Sequence, residues 1–495
     1  MNRTTQSLIA GVTALAAVTG VAALMAPDAS GTDTATASAA HLPVERTSLL
    51  CPAPSSSDLA ETTYTSFTPV TKGAGSGGTA ELLPAAPDPD SGKGKGGKES
   101  GEAVLKPAAP GRPVTGETSG GEAPALVGTA EGRYAPGWTM QETTEVAAGS
   151  GRGLQGVTCT APDTEFWFPG ASTAPERTDY VHLTNPDDSA AVVDIELYGK
   201  DGPVESEVGE GITVEPHTSE PVLLSTLAEA EQTNLTVHVS VRSGRVGAAV
   251  QALDDRLGGD WLAAATDPAG SLVLPGLPAD AKQVRLVLFT PGDTDADLKV
   301  RLASPTGLIT PAGHETVRVK AGMTTAVDLR DITRGEAGSL VLTPTDRSVP
   351  VVAAARVVRG GSGEEETAFV PATGAVTTRA TCVANGAKGT TLSLTAPRGT
   401  ARVKVTASAG SEGGATVTKT FTIKAGTTQD VEAPVPSGVK GTYALTVEPE
   451  GGPVYAARTL RSTGDVEGFT VQTLPDDRGM VAVPEADEDL AVLQR

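Results

Sequence analysis

The strongest constraint on this chain is a block of text that recurs three times at about the spacing of a domain. Prolines that close a strand stand at Pro186, Pro291 and Pro397, in LTNP (183–186), FTP (289–291) and LTAP (394–397), so they lie 105 and 106 residues apart. Alternating apolar positions follow at Val193, Ile195 and Leu197, at Leu298, Val300 and Leu302, and at Val403, Val405 and Ala407. A tight turn comes next in each copy: VEPH at 214–217, VKAG at 319–322, IKAG at 423–426. Then a valine precedes a small pair, Val246 with Ala248 and Ala249, Val351 with Ala353 and Ala354, and Val454 with Ala456 and Ala457. An aromatic opens each closing segment at Trp261, Phe369 and Phe469.

Period-2 alternation over five to seven residues puts every second side chain on one face, which makes each strand half-buried. Turn signals every eight to twelve residues and scarce helical periodicity point to two packed antiparallel sheets, for which about 100 residues is the usual size. Solenoid and propeller units repeat at roughly 20–50 residues and cannot bury a core alone. The sequence therefore predicts an all-β chain of tandem immunoglobulin-like β-sandwich domains. The boundaries are 163–267, 268–375 and 376–475, followed by an acidic tail at 476–495. The Ala pairs fit places where a sheet approaches its neighbour closely.

The chain has 495 residues, only 3% aromatic, with a formal net charge of −22. That balance argues against nucleic acid, since phosphate neutralisation needs clustered Lys and Arg. The small basic run at Lys93, Lys95 and Lys98 lies among glycines and reads as a solvated linker. At the N-terminus, Arg3, an uncharged apolar stretch at 7–26 and Ala37-Ser38-Ala39 form an export pattern occupying residues 1–40. Twenty apolar residues also suffice to cross a bilayer, so a cleaved signal peptide and an uncleaved membrane anchor both stay open. Either reading places the remainder outside the cytoplasm, with membrane contact only through residues 7–26.

Three cysteines are present. An oxidising compartment allows one disulfide and leaves one thiol. Cys51 and Cys159 are the candidate pair, because LLCPAP (49–54) and VTCTAP (157–162) resemble each other and bracket the N-terminal region. Cys382 falls in the first strand of the third repeat, near the counterparts of Phe166 and Leu272, and reads as a small buried hydrophobe. Residues 41–162 are expected to form an N-terminal β domain. Within it, 73–124 is rich in Gly, Pro, Ser, Glu and Lys, and is expected to be an unfolded insertion.

CP soon after the export segment, the GL…CTAP run at 153–162, FWFPG at 166–170 and LTNP at 183–186 resemble an uncharacterised family of actinobacterial secreted proteins that carries only a domain-of-unknown-function label. The resemblance covers nearly the whole chain. It implies an exported, envelope-associated, β-rich protein, and it brings no activity or site.

Little in the sequence speaks of chemistry. Five histidines, at 41, 182, 217, 238 and 314, lack the spacing of a metal site. Asp293, Asp295 and Asp297 open like a calcium loop but without its glycine and distal glutamate, so an exposed turn is the better reading. Glycine–serine strings such as GSGRG (149–153) lack the strand and helix of a nucleophile elbow. The sequence predicts no catalytic set, no metal and no cofactor. The expected function is that of a non-catalytic envelope scaffold whose partner is an envelope protein or wall polymer. The alternative is a wall-polysaccharide binder, for which Trp167, Tyr180 and Trp261 are the ligand-contact candidates.

Overall fold

The computed structural model describes residues 40–85, 102–361, 365–464 and 466–483. The expected export pattern and most of the acidic tail lie outside them. Residues 43–480 make one compact unit. The described part of the other belongs to a two-stranded ribbon of Ala40–Pro43 and Met480–Val483. Within residues 44–479 the described strands pair antiparallel, and among the described residues no helix is long and apolar enough to cross a membrane.

Alternation decides which residues form strands and which face they bury. In Ala296–Ser304, Ala296, Leu298, Val300 and Leu302 enter the core while Asp297 and Lys299 face solvent. Each fully buried Leu or Val of this kind contributes about 1.5–3 kcal/mol.

Residues 163–475 contain three modules of two sheets over a shared core. One sheet of each, here called axial, has the order Ser219–Leu223, Arg177–Thr184, Gly247–Asp254, Gly258–Leu262 in the first repeat. The second repeat follows with Thr324–Asp328, Gln283–Phe289, Val352–Arg359, Glu366–Pro371, and the third with Thr427–Val431, Thr390–Ala396, Tyr455–Arg461, Phe469–Leu474. The facing sheet is built on Glu165–Ala171, Leu235–Ser243 and Ala191–Gly199 in the first repeat, and on the corresponding strands in the others.

The N-terminal region is a fourth copy, which its sequence conceals. Its axial sheet runs Val114–Ser119, Ala60–Phe67, Thr139–Val146, Gly153–Thr158, and its facing sheet Arg46–Cys51, Leu126–Glu131, Ala80–Pro84. Strands alternate between the sheets in the same chain order as in the repeats. The expected unfolded insertion at 73–124 must be corrected here. Ala80–Pro84 and Val114–Ser119 are strands inside it, and Leu82 and Leu105 are core residues. Low apolar content misleads because neighbouring strands supply the rest of the core. Residues 86–101 of that stretch lie outside the described ones.

The four modules contact one another in a closed cycle. Their last axial strands, Gly153–Thr158, Gly258–Leu262, Glu366–Pro371 and Phe469–Leu474, each pack on the next, and the fourth packs on the first. Around them, the leading strand of every module packs on the axial sheet of its successor: Arg46–Cys51 on Gly247–Asp254, Glu165–Ala171 on Val352–Arg359, Leu272–Leu277 on Tyr455–Arg461, and Ala380–Asn385 on Thr139–Val146. Among the described residues no sheet mixes strands of two modules.

The Ala pairs make this packing possible. Ala248, Ala353 and Ala456 lie in their own module's core, while Ala354 and Ala457 join the core of the module before. Each leading strand of the repeats bulges where it meets that sheet, at Pro169-Gly170, Pro275-Gly276 and Val383-Ala384. All three bulges hold a residue at positive φ, the usual way to add one unpaired residue to a strand. A Cβ on Gly276 would come within 2.6 Å of the Ala457 Cβ. Aligned on these bulges, Cys382 corresponds to Phe168 and Leu274, one inward position beyond the expected counterparts Phe166 and Leu272. Similarly, Phe469 lies two residues before the counterpart of Phe369, which is Val471. The face is kept because the offset is even.

Candidate functional site

The aromatic residues singled out by sequence do not form a display surface. Trp167 is 4% exposed. It stacks on His238 at 3.7 Å and on Phe289 of the second repeat at 5.6 Å, and its Nε1 donates to Glu165 at 3.0 Å. Trp261 is 3% exposed and packs with Val157 of the N-terminal module and Ala249, its ring 5.2 Å from that of His182. Tyr180 is partly buried, 6.2 Å from His182. The structure thus gathers Tyr180, His182 and Trp261 at one module boundary and puts Trp167 at the next.

Other flagged groups have structural partners. Asp295 accepts from the Arg318 guanidinium and the Ala321 N–H, which hold its carboxyl below the ordinary range, the backbone N–H foremost. His182 and His238 sit in different sheets of the first repeat. Burial lowers the His182 imidazole to about 4, partly opposed by Gln251.

At the centre of the cycle, Asp260 is fully buried, and its Oδ1 accepts the Gly156 N–H at 3.1 Å. Burial pushes its carboxyl well above the usual range, against the pull of the Gly156, Trp261 and Phe369 N–H groups and the Thr470 hydroxyl. Gly156 is required at this place. A Cβ there would lie 2.6 Å from Thr470 Cγ2.

The module boundaries carry further polar ties. Arg379 of the third repeat donates to Thr71 Oγ1 at 2.9 Å and pairs with Asp477 at 2.5 Å, and Asp280 pairs with both Arg359 and Arg461. The Arg177 guanidinium, in a buried ion pair with Asp179 at 2.8 Å, lies over the Phe369 ring.

Glu142 and Arg458, which sequence reasoning missed, are also buried within their modules. Glu142, 1% exposed, has no hydrogen-bond partner at either carboxyl oxygen. Burial raises its carboxyl well above the ordinary range. Around it lie Tyr64, whose phenol is raised by burial and then by Glu142, and the disulfide between Cys51 and Cys159, with Cα atoms 4.5 Å apart. The two sulfurs and a Glu142 oxygen lie within 4.8 Å of one another. In the third repeat Arg458 is fully buried, and its guanidinium donates to Val383 O, Asn385 Oδ1 and Gln472 Oε1. Burial lowers its pKa, and burial raises that of the adjacent free thiol Cys382.

A depression of about 1230 Å³ opens between the N-terminal module and the first repeat. Its arginines are paired with acids, Arg46 with Glu131 at 3.7 Å, Arg245 with Asp187 at 2.9 Å and Arg478 with Asp163 at 3.6 Å, and the His217 ring lies 2.7 Å from Asp188. No aromatic side chain lines it, so it offers neither a stacking platform nor a bare cationic track.

A sequence family described as a family of unknown function (DUF5719) matches residues 114–434. The match starts on a strand of the N-terminal module and ends in the third repeat, so it takes in parts of all four copies. No curated protein matches the chain.

Proposed function

The chain belongs to DUF5719, a family of unknown function, and from that premise we propose that it is a non-catalytic, extracytoplasmic scaffold of the cell envelope. The observation that carries the reading is the closed contact cycle of four modules. Its large aromatic and ionisable side chains serve contacts between and within modules rather than a cleft. Asp260, Glu142 and Arg458 sit in packed interiors, where a substrate has no approach. We read each module as an immunoglobulin-like sandwich, with two antiparallel sheets over one core as the support. Export rests on the apolar stretch at 7–26 and is favoured by the Cys51–Cys159 disulfide.

The wall-polysaccharide alternative has less support. Sugar-binding sandwiches present aromatic faces, whereas Trp167 and Trp261 spend theirs on neighbouring modules.

The decisive experiment is affinity capture of the native protein from envelope fractions, beside retention on insoluble wall glycan. A defined protein partner and no glycan retention is the expected result. Retention on glycan that Trp167→Ala or Trp261→Ala abolishes in a still-folded protein would replace the scaffold reading with the polymer one. Recovery of the protein from the cytoplasm alone would remove the envelope assignment.

A further inference from the structure

We propose that the reduced form of the N-terminal module binds a soft divalent metal ion, zinc by preference, on Cys51, Cys159 and Glu142. The three ligand atoms come from both sheets. Cys51 ends the strand Arg46–Cys51, Glu142 lies within Thr139–Val146, and Cys159 follows Gly153–Thr158, where its N–H donates to Met140 O at 2.9 Å. All three side chains are buried, and the ligand atoms lie within 4.8 Å of one another. Zinc holds thiolate sulfur at about 2.3 Å and carboxylate oxygen at about 2.0–2.2 Å, so its ligand atoms stand roughly 3.5–4 Å apart. In the disulfide the two sulfurs are bonded to each other, so reduction and rotation of both cysteine side chains must part them to that spacing, while the Glu142 oxygen already lies within 4.8 Å of both.

The second observation is Glu142 itself. Neither of its oxygens has a hydrogen-bond partner, although the residue is 1% exposed. A buried carboxylate without a partner is costly, and a cation bound to two neighbouring thiolates would satisfy it. Two thiolates with one carboxylate select zinc over calcium or magnesium, which prefer oxygen alone. Three protein ligands leave one position for water.

The metal and the disulfide exclude each other. An external disulfide oxidant takes two electrons from the two coordinated sulfurs. The Cys51–Cys159 bond forms, Zn(II) leaves, and the oxidant's own sulfur–sulfur bond breaks to two thiols that draw their protons from solvent. The module would thus exchange a metal tie for a covalent one at the same place.

The test uses the full chain, reduced anaerobically with a phosphine and checked by circular dichroism for retained sheet. Cobalt(II) is titrated and followed by thiolate-to-metal charge-transfer absorption, and zinc affinity is measured against a chromophoric chelator. We expect one equivalent bound by the reduced protein, none by the oxidised protein, and affinity at least about tenfold weaker in Glu142→Gln, which removes a ligand. Reduced, folded protein that takes up no metal overturns the proposal. So does equal uptake by the oxidised form, unchanged affinity in Glu142→Gln, or loss of the sheet signal on reduction.

Discussion

Glu142 and Arg458 occupy the same position in two copies of one fold. Each is the fourth residue of the corresponding axial strand, Thr139–Val146 and Tyr455–Arg461, where the other two modules place Val250 in Gly247–Asp254 and Ala355 in Val352–Arg359. The ladders agree, with Glu142 opposite Tyr64 and Val157 and Arg458 opposite Leu392 and Gln472. An inward column that is apolar in two modules carries an acid in one and a base in another, each beside a cysteine. Such substitutions in a core are costly unless something compensates. Arg458 has three oxygen acceptors, and Glu142 has none.

The uncompensated acid makes stability depend on pH. The folded-state pKa of Glu142 is raised above that of the unfolded chain by burial, so between the two values the folded state binds the extra proton. Its contribution is intact below about pH 4, the ordinary carboxyl range, and is lost as pH rises toward the folded value. Glu142→Gln, which keeps the shape and cannot ionise, should gain on the wild type in urea unfolding as pH goes from 4 to 8. Parallel stability curves for the two proteins would contradict this.

The same module should depend on its cross-link. Cys51 and Cys159 are separated by 108 residues, and closing a loop of that size restricts the unfolded chain by roughly 4–5 kcal/mol in the chain-entropy account. Replacing both cysteines with serine should lower unfolding stability by about 4 kcal/mol. Denaturant titration reads this directly, and a loss below 1 kcal/mol would show that the link adds little.

The bulge at Ala384 offers a gain rather than a loss. Its φ of 60° lies in the region that glycine occupies in the other repeats, at Gly170 and Gly276. A non-glycine residue there costs about 1–3 kcal/mol, while glycine adds unfolded-state freedom of under about 1 kcal/mol. Ala384→Gly should therefore raise stability by roughly 1 kcal/mol, visible as a higher Tm. An unchanged or lower Tm would mean the Ala384 methyl packs more usefully than its strain costs.

Crowding at the Ala pairs predicts the opposite sign. Ala457 joins the core of the preceding module, under the bulge at Gly276. Ala457→Leu has nowhere to put three extra carbons and should cost about 1–3 kcal/mol, whereas Leu at an exposed strand position such as Lys419 should cost far less. Equal losses at both sites, measured by thermal unfolding, would remove the close approach as the reason for the small residue.

How much of this was legible follows from what each signal measures. Strands such as Ala296–Ser304 could be read because their period maps onto burial residue by residue. The fourth copy could not, since its axial strand reads Met140-Gln141 where the repeats carry an Ala pair, and its interior includes threonines such as Thr62 and Thr144 bonded to each other at 2.9 Å. Arg458 was within reach, because aligning the Ala pairs places it two residues past Ala456 beside Val250 and Ala355. Trp167 and Trp261 were visible as residues but not as contacts. Nothing in a strand's own alternation says whether its outward face meets solvent or a neighbouring module. The closed cycle lies entirely in that second kind of information.

His182 provides a test of that cycle from the acid side. It lies on the axial strand Arg177–Thr184, 7% exposed, where its module meets the N-terminal one across Trp261 and Val157. Burial lowers its imidazole pKa to about 4, against about 6.5 in an unfolded chain. The unfolded state therefore binds the extra proton between those values. Stability is lost as pH falls from about 6.5 to 4, by up to about 3 kcal/mol. Carboxylates held below their ordinary range, such as Asp187 and Asp295, act in the same direction, so the wild-type curve alone cannot isolate the histidine. The difference between wild type and His182→Phe can, because those carboxylates are common to both. That difference should shift toward the variant between pH 6.5 and 4 and stay flat above pH 7. A difference constant across the whole range would place His182 in water, and the first repeat and N-terminal module apart.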